Sequence, residues 1–152
     1  GASEGEPEEV DPAALVRGIV EDCARGGSNV EIVELRGAGR VSLRVVGVKR
    51  ALENLIGNAV RYGTRAQVSV EISERFLRIR VEDDGPGIAP EERDEAIKPF
   101  ARLEPARNQN RGTGVGLGLS IAADVARAHG GVLRLGTSAR LGGLSADLVI
   151  AR

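Results

Sequence analysis

The chain contains no tryptophan and no methionine, one tyrosine, two phenylalanines and one cysteine. With so few aromatics, a core has to be assembled from Val, Leu, Ile and Ala. A single cysteine excludes an internal disulfide, which suits a reducing compartment. Cys23 lies in line with Val16, Ile19 and Val20 on a helical stripe and reads as core filler. No run approaches the ~20 apolar residues needed to cross a bilayer, and no signal peptide is visible. Positive charge is not in excess either: the net charge is −1, so no nucleic-acid partner is expected. The sequence opens Gly-Ala-Ser without a methionine, from which we expect a piece of a longer protein carrying a cloning remnant.

What is present fits one globular domain. The 152 residues are 41% hydrophobic and 28% charged, within the ordinary range for a single packed core. Residues 1–10 (GASEGEPEEV) are acidic and aperiodic and are expected to form a loose leader, leaving residues 11–152 as the domain. Asp11-Pro12 is a helix start that should run to about Arg25 and stop at Gly26-Gly27. Strands are expected near Val30–Leu35 and Val41–Val46. Val48–Tyr62 forms the clearest helix, with Leu52, Leu55, Ile56, Ala59 and Val60 on one stripe. Alternation then predicts strands over Gln67–Ser73 and Phe76–Asp83. Residues 85–114 lose periodicity, and a stretch of that length within a compact domain is usually functional. A helix over about Leu117–His129 and strands near Val132–Gly136 and Leu144–Ile150 complete the chain. Three helices and five to six strands predict an α/β fold with a helix layer on one mixed sheet.

Three segments carry candidate chemistry. Opposite the apolar stripe of the Val48–Tyr62 helix, Asn54, Asn58 and Arg61 fall within ~60° of one another at ~100° per residue. Two amides and a guanidinium on one face suit a hydrated Mg²⁺ with phosphate oxygens, though an ordinary solvated face gives the same pattern. Asp83 continues the inward series Leu77, Ile79, Val81, while Arg78, Arg80 and Glu82 point the other way. A carboxylate on the core side needs a partner or a pocket. Standing before Gly85-Pro86-Gly87, it could accept a hydrogen bond from the adenine amine, or simply cap a turn. The glycines of residues 112–118 open a helix and let N–H groups close on phosphate. They follow a long loop, so they form neither a Walker A nor a dinucleotide fingerprint. That loop carries Arg93, Lys98, Arg102, Arg107 and Arg111, able to close over a triphosphate or to remain as solvated surface charge.

The order of these segments resembles the N, G1, F and G2 boxes of sensor histidine kinases. The matching residues are Asn58 in NLIGNAVRYG, Asp83 in VEDDGPGI, Phe100 in KPFARLE and the glycines of GTGVGLGLSI. These kinases belong to the wider ATP-binding superfamily of gyrase, Hsp90 and MutL. AVRYG, VEDDGPGIAPEER, PFAR and GTSARLGGLS are most similar to osmosensing kinases of the EnvZ type. The resemblance covers residues 11–152. It implies the Bergerat fold, a two-layer α/β sandwich with a mixed sheet backed by three helices and a long ATP lid, and it implies ATP and Mg²⁺ as cofactors.

By the same resemblance, Asn58 ligates the metal and Asn54 supports the metal–phosphate site, while Arg61 contacts phosphate and Tyr62 packs near the nucleotide. Asp83 holds the adenine amine beside Gly85, Gly87 and Ile88. Phe100 anchors the lid, from which Arg102 or Arg107 reaches the terminal phosphate. Thr113, Gly114, Val115, Gly116, Leu117 and Gly118 surround the phosphates. The implied activity is transfer of the ATP γ-phosphoryl group to a histidine on a separate dimerisation domain, and onward to a response regulator. The fragment is then expected to be a monomeric, cytoplasmic part of a homodimeric inner-membrane bacterial kinase.

One position separates the classes. Gyrase-type ATPases and anti-sigma-factor serine kinases carry a Glu four residues before the metal-binding Asn, as general base. Here that position is Asn54, which takes no proton, and Glu53 lies ~100° around the helix. An anti-sigma-factor serine kinase and a non-catalytic nucleotide-sensing module are the alternatives. His129 precedes Gly130-Gly131 at a helix stop and reads as structural.

Overall fold

A computed structural model describes residues 5–98 and 115–152. Helix α1 spans Pro12–Arg25. Asp11 caps it by accepting from the Ala13 N–H at 3.0 Å, Pro12 occupies the first turn where no N–H is needed, and Gly26 N–H closes the other end on Asp22 O. Strands β2 (Val30–Arg36) and β3 (Val41–Arg44) lead into helix α2 (Val45–Tyr62). Strands β4 (Ala66–Ile72) and β5 (Phe76–Asp83) follow. A 3₁₀ turn at Pro90–Glu92 and the short α3 (Arg93–Ala96) break the aperiodic stretch. Helix α4 (Val115–Ala128) and strands β6 (Val132–Thr137) and β7 (Leu144–Ala151) close the chain.

The main sheet runs β2-β4-β5-β7-β6. Only β2 and β4 are parallel, joined by a crossover through β3 and α2, and the other three pairings are antiparallel. Helices α1, α2 and α4 cover one face. Leu52 and Ile56 of α2, Leu77 and Ile79 of β5, and Leu148 and Ile150 of β7 are fully buried there. Each contributes about 2–3 kcal/mol by leaving water. The opposite face is a charged grid. Arg80 forks onto Asp147 at 2.7 and 2.9 Å, and Arg78 meets Glu71 at 2.6 Å. Among the described residues, no helix is long and apolar enough to cross a membrane.

Two expectations need correction. Residues 7–10 are not loose: they form strand β1 (Pro7–Val10), antiparallel to β3. Two Glu and a Pro give no apolar alternation, and what orders the segment is the hydrogen-bonding edge of β3. Helix α2 begins at Val45 rather than Val48, because β3 passes into it directly. Its β-branched Val45 and Val46 read locally as strand. Glu82 lies on the charged face as expected, yet it is only 3% exposed, because the turn between β6 and β7 covers it. Cys23 is half-buried against the core. Burial first, then Glu53 and Asp22, push its thiol pKa up.

Candidate nucleotide site

The site forms where α2, β5 and the first turns after β5 meet the start of β7. Asn58 and Tyr62 project from α2, Asp83 ends β5, and Leu119 comes from α4. With Pro86, Gly87, Ile88 and Leu144 they line a mainly apolar cavity of about 300 Å³ including its mouth. Asp83 is buried at 6% exposure. Its Oδ1 accepts the Gly85 N–H at 2.9 Å and the Leu144 N–H at 3.0 Å. Two backbone donors make a fixed cradle that offsets the cost of withdrawing the carboxylate from water.

That cradle depends on two missing side chains. A Cβ on Gly85 would stand 2.8 Å from the Tyr62 carbonyl oxygen, and one on Gly143 would stand 2.3 Å from Asp83 Oδ1. Gly143 N–H also donates to Asp83 O at 3.0 Å. Asp84 fastens the same turn to the end of α2. Its carboxylate accepts the Thr64 hydroxyl, the Thr64 N–H at 2.7 Å and the Arg65 N–H at 3.2 Å. These bonds, the Thr64 hydroxyl first and then its N–H, hold the Asp84 pKa down at about 2.

Across the cavity, Asn58 Nδ2 is buried without a hydrogen-bond partner among the described residues. An orphaned amide of this kind costs free energy unless a ligand or water meets it, so the residue fits a polar ligand. Its amide oxygen is also a donor atom of the type hard cations prefer. Asn54, one turn earlier, returns its Nδ2 to Arg50 O at 2.7 Å. Arg61 is exposed at the same end of α2, its guanidinium 5.5 Å from the Tyr62 ring centroid. Among the described residues, no three His, Cys, Asp or Glu side chains gather as a metal site.

Of the residues singled out from sequence, Asn58, Tyr62, Asp83, Gly87 and Ile88 are brought together at one cavity, with Gly85 in its turn. Val115, Gly116, Leu117 and Gly118 form the first turn of α4, which starts two residues earlier than expected. Gly116 therefore sits inside the helix, with Gly118, rather than in a loop before it. Phe100, Arg102, Arg107, Thr113 and Gly114 lie outside the described residues, as does most of the expected lid. Missed from sequence were Leu119, Gly143 and Leu144. The GGL that follows the turn after β6 was the available signal, but its target is sixty residues upstream. His129 is not near the cavity. Its Nε2 accepts the Arg44 N–H at 3.0 Å and its Nδ1 is 2.7 Å from Val125 O, a structural role.

Known proteins align with this arrangement. The family described as histidine kinase-, DNA gyrase B- and HSP90-like ATPase matches residues 43–148. The sensor histidine kinase GtrS of Pseudomonas aeruginosa is 37% identical over 145 residues, 95% of this chain and 29% of its own length. The sensor protein RstB of Escherichia coli is 45% identical over 97 residues, 63% of this chain and 22% of its own. The chain thus spans under a third of the length of these curated relatives. Among solved structures, the ATP binding domain of PrrB from Mycobacterium tuberculosis superposes with a TM-score of 0.77 at 26% identity. It covers 96% of this chain and 97% of that one. The histidine kinase domain of the E. coli osmosensor EnvZ gives 0.68 at 37% identity, covering 95% and 88%.

Proposed function

The chain belongs to the family of histidine kinase-, DNA gyrase B- and HSP90-like ATPases, and from that premise we propose that it is the ATP-binding catalytic domain of a two-component sensor histidine kinase. The observation that carries this reading is the buried Asp83 carboxylate, fixed by two backbone N–H groups at the edge of an apolar cavity. An acceptor so placed pairs with the exocyclic amine of adenine and rejects the carbonyl that guanine carries in its place. Tyr62, Ile88, Leu119 and Leu144 supply apolar surface for the base.

On this reading Asn58 holds Mg²⁺ through its amide oxygen, with Asn54 supporting the metal–phosphate region and Arg61 contacting phosphate. The ion, when bound, neutralises charge on the phosphates. Phe100 and Arg102 or Arg107 serve the lid, Thr113 and Gly114 the phosphate loop, and Val115 to Gly118, in the first turn of α4, close on the phosphates. Asn54 cannot act as a base, so water is left unactivated. The γ-phosphoryl group instead passes to an imidazole, itself a nucleophile, on a separate dimerisation domain. What the chain contributes is positioning and electrostatics, as is general for this chemistry. The parent protein would be a homodimeric, membrane-anchored sensor with this domain in the cytoplasm, and a response regulator would receive the phosphoryl group.

The test mixes the chain with γ-labelled ATP and a histidine-bearing dimerisation domain of a sensor kinase. Acid-labile, alkali-stable label on that domain is the expected result. Acid-stable label on a hydroxyl side chain would assign a serine kinase instead. ATP binding with no transfer to any such domain would reduce the chain to a nucleotide sensor.

A further inference from the structure

The turn between β6 and β7 is held from both faces of the sheet by neighbouring carboxylates of β5. On the nucleotide side, Asp83 takes the Gly143 N–H on its carbonyl and the Leu144 N–H on its Oδ1, each at 3.0 Å. On the far side, Glu82 Oε2 accepts the Ser138 hydroxyl at 2.7 Å. Ser138 Oγ in turn accepts the Leu141 N–H at 3.0 Å. The Ser138 N–H meets Gly143 O at 2.8 Å, and the Gly142 N–H meets Ser138 O at 2.9 Å. Glu82 and Ser138 are 3% and 2% exposed, so their bond operates without competing water. Arg140 Nε lies 3.5 Å from Glu82 Oε1 and keeps the buried carboxylate from being an isolated charge.

A third tie joins the turn to the loop after β5. Arg93 donates to Ile88 O at 3.0 Å and to the Thr137 hydroxyl at 3.1 Å. The Leu144 N–H therefore reaches Asp83 only while the whole Thr137–Leu144 segment keeps its register, and the clearance beside Gly143 leaves no slack.

We propose that Glu82 and Ser138, on the sheet face remote from the nucleotide cavity, are positioning residues for base recognition by Asp83. This rests on the ATP reading above and adds that adenine selectivity is set through the β6–β7 turn, by residues that never touch the base. Releasing Ser138 from Glu82 lets the turn drift and weakens the Leu144 N–H bond that aims the Asp83 carboxylate. The loss falls on the adenine amine contact rather than on the phosphates.

The experiment is calorimetric titration of the chain with Mg·ATP and with purine riboside triphosphate, which lacks the amine. The unaltered chain and Asp83→Asn, Ser138→Ala, Glu82→Ala and Glu82→Gln are compared. Ser138→Ala and Glu82→Ala should weaken ATP binding about three- to tenfold, the scale of one buried hydrogen bond, and weaken binding of the analogue without the amine less than about twofold. Glu82→Gln, whose amide oxygen still accepts from Ser138, should restore most of the preference. If Ser138→Ala leaves ATP affinity unchanged, or weakens both nucleotides equally, the proposal is overturned while the ATP site stands. If the unaltered chain shows no preference for ATP over the analogue and Asp83→Asn changes nothing, the underlying reading of Asp83 fails. Should Glu82→Ala not fold, Ser138→Ala decides the question alone.

Discussion

Replacing Gly143 by Ala adds one methyl group where the structure has no room for it. The new Cβ would lie 2.3 Å from Asp83 Oδ1, 2.5 Å from Asp83 O and 2.6 Å from Gly85 N. Two of these atoms are backbone and the third is pinned by two hydrogen bonds, so the first residues of β7 must retreat by about 1 Å to reach ordinary contact. Overpacking of this kind costs about 1–3 kcal/mol. The retreat also stretches the Gly143 and Leu144 N–H bonds to Asp83, worth about 0.5–1.5 kcal/mol each. A total near 3 kcal/mol corresponds to a fall in Tm of roughly 6–12 °C for a domain of this size. Calorimetric melting without nucleotide reads that loss. A parallel ATP titration below the new Tm should show affinity down by about tenfold or more, because on the proposed reading the acceptor for adenine loses its aim. A Gly143→Ala chain with Tm within about 2 °C of the original and unchanged ATP affinity would refute the reasoning, since it would mean the cradle tolerates the displacement.

Two further outcomes follow from hydrogen bonds elsewhere. Asp84 has a depressed pKa of about 2 in the fold against ~4 in an unfolded chain. Its stabilising effect is therefore complete above pH ~4 and disappears as pH falls through ~2. The urea midpoint of the unaltered chain should exceed that of Asp84→Asn near neutrality, with the gap closing between pH 5 and 2. A gap constant across that window argues against the assignment. His129→Ala removes the acceptor of the Arg44 N–H and the contact to Val125 O. It should cost about 1–3 kcal/mol in denaturant unfolding, and an unchanged midpoint would contradict it.

Much of this architecture is legible in the sequence where short-range rules decide the outcome. Asp11-Pro12 and Gly26-Gly27 bound α1 because capping is local, and the alternation from Leu77 to Asp83 predicts both the strand and the inward carboxylate. The legibility ends where a distant segment acts. Pro7–Val10 is a strand only because β3 offers an edge. Glu82 is buried only because Ser138, fifty-six residues later, folds over it. Gly143 looks like any turn glycine until Asp83 is placed beside it. The amide stripe of α2 was visible, but the orphaned Asn58 Nδ2 needed neighbours in three dimensions before it could be recognised.

His129 has a mechanical consequence. It fastens the last turn of α4 to the residue where β3 becomes α2, while Leu119, near the other end of α4, faces the nucleotide cavity. Helix α4 is thus a rod of fourteen residues, about 20 Å long, tied to β3 at one end and lining the cavity near the other. A tilt at the Leu119 end would therefore pull on β3, the strand that carries β1. On the proposed ATP reading, a nucleotide that moved Leu119 would be felt at the segment through which residues 7–10 join the domain.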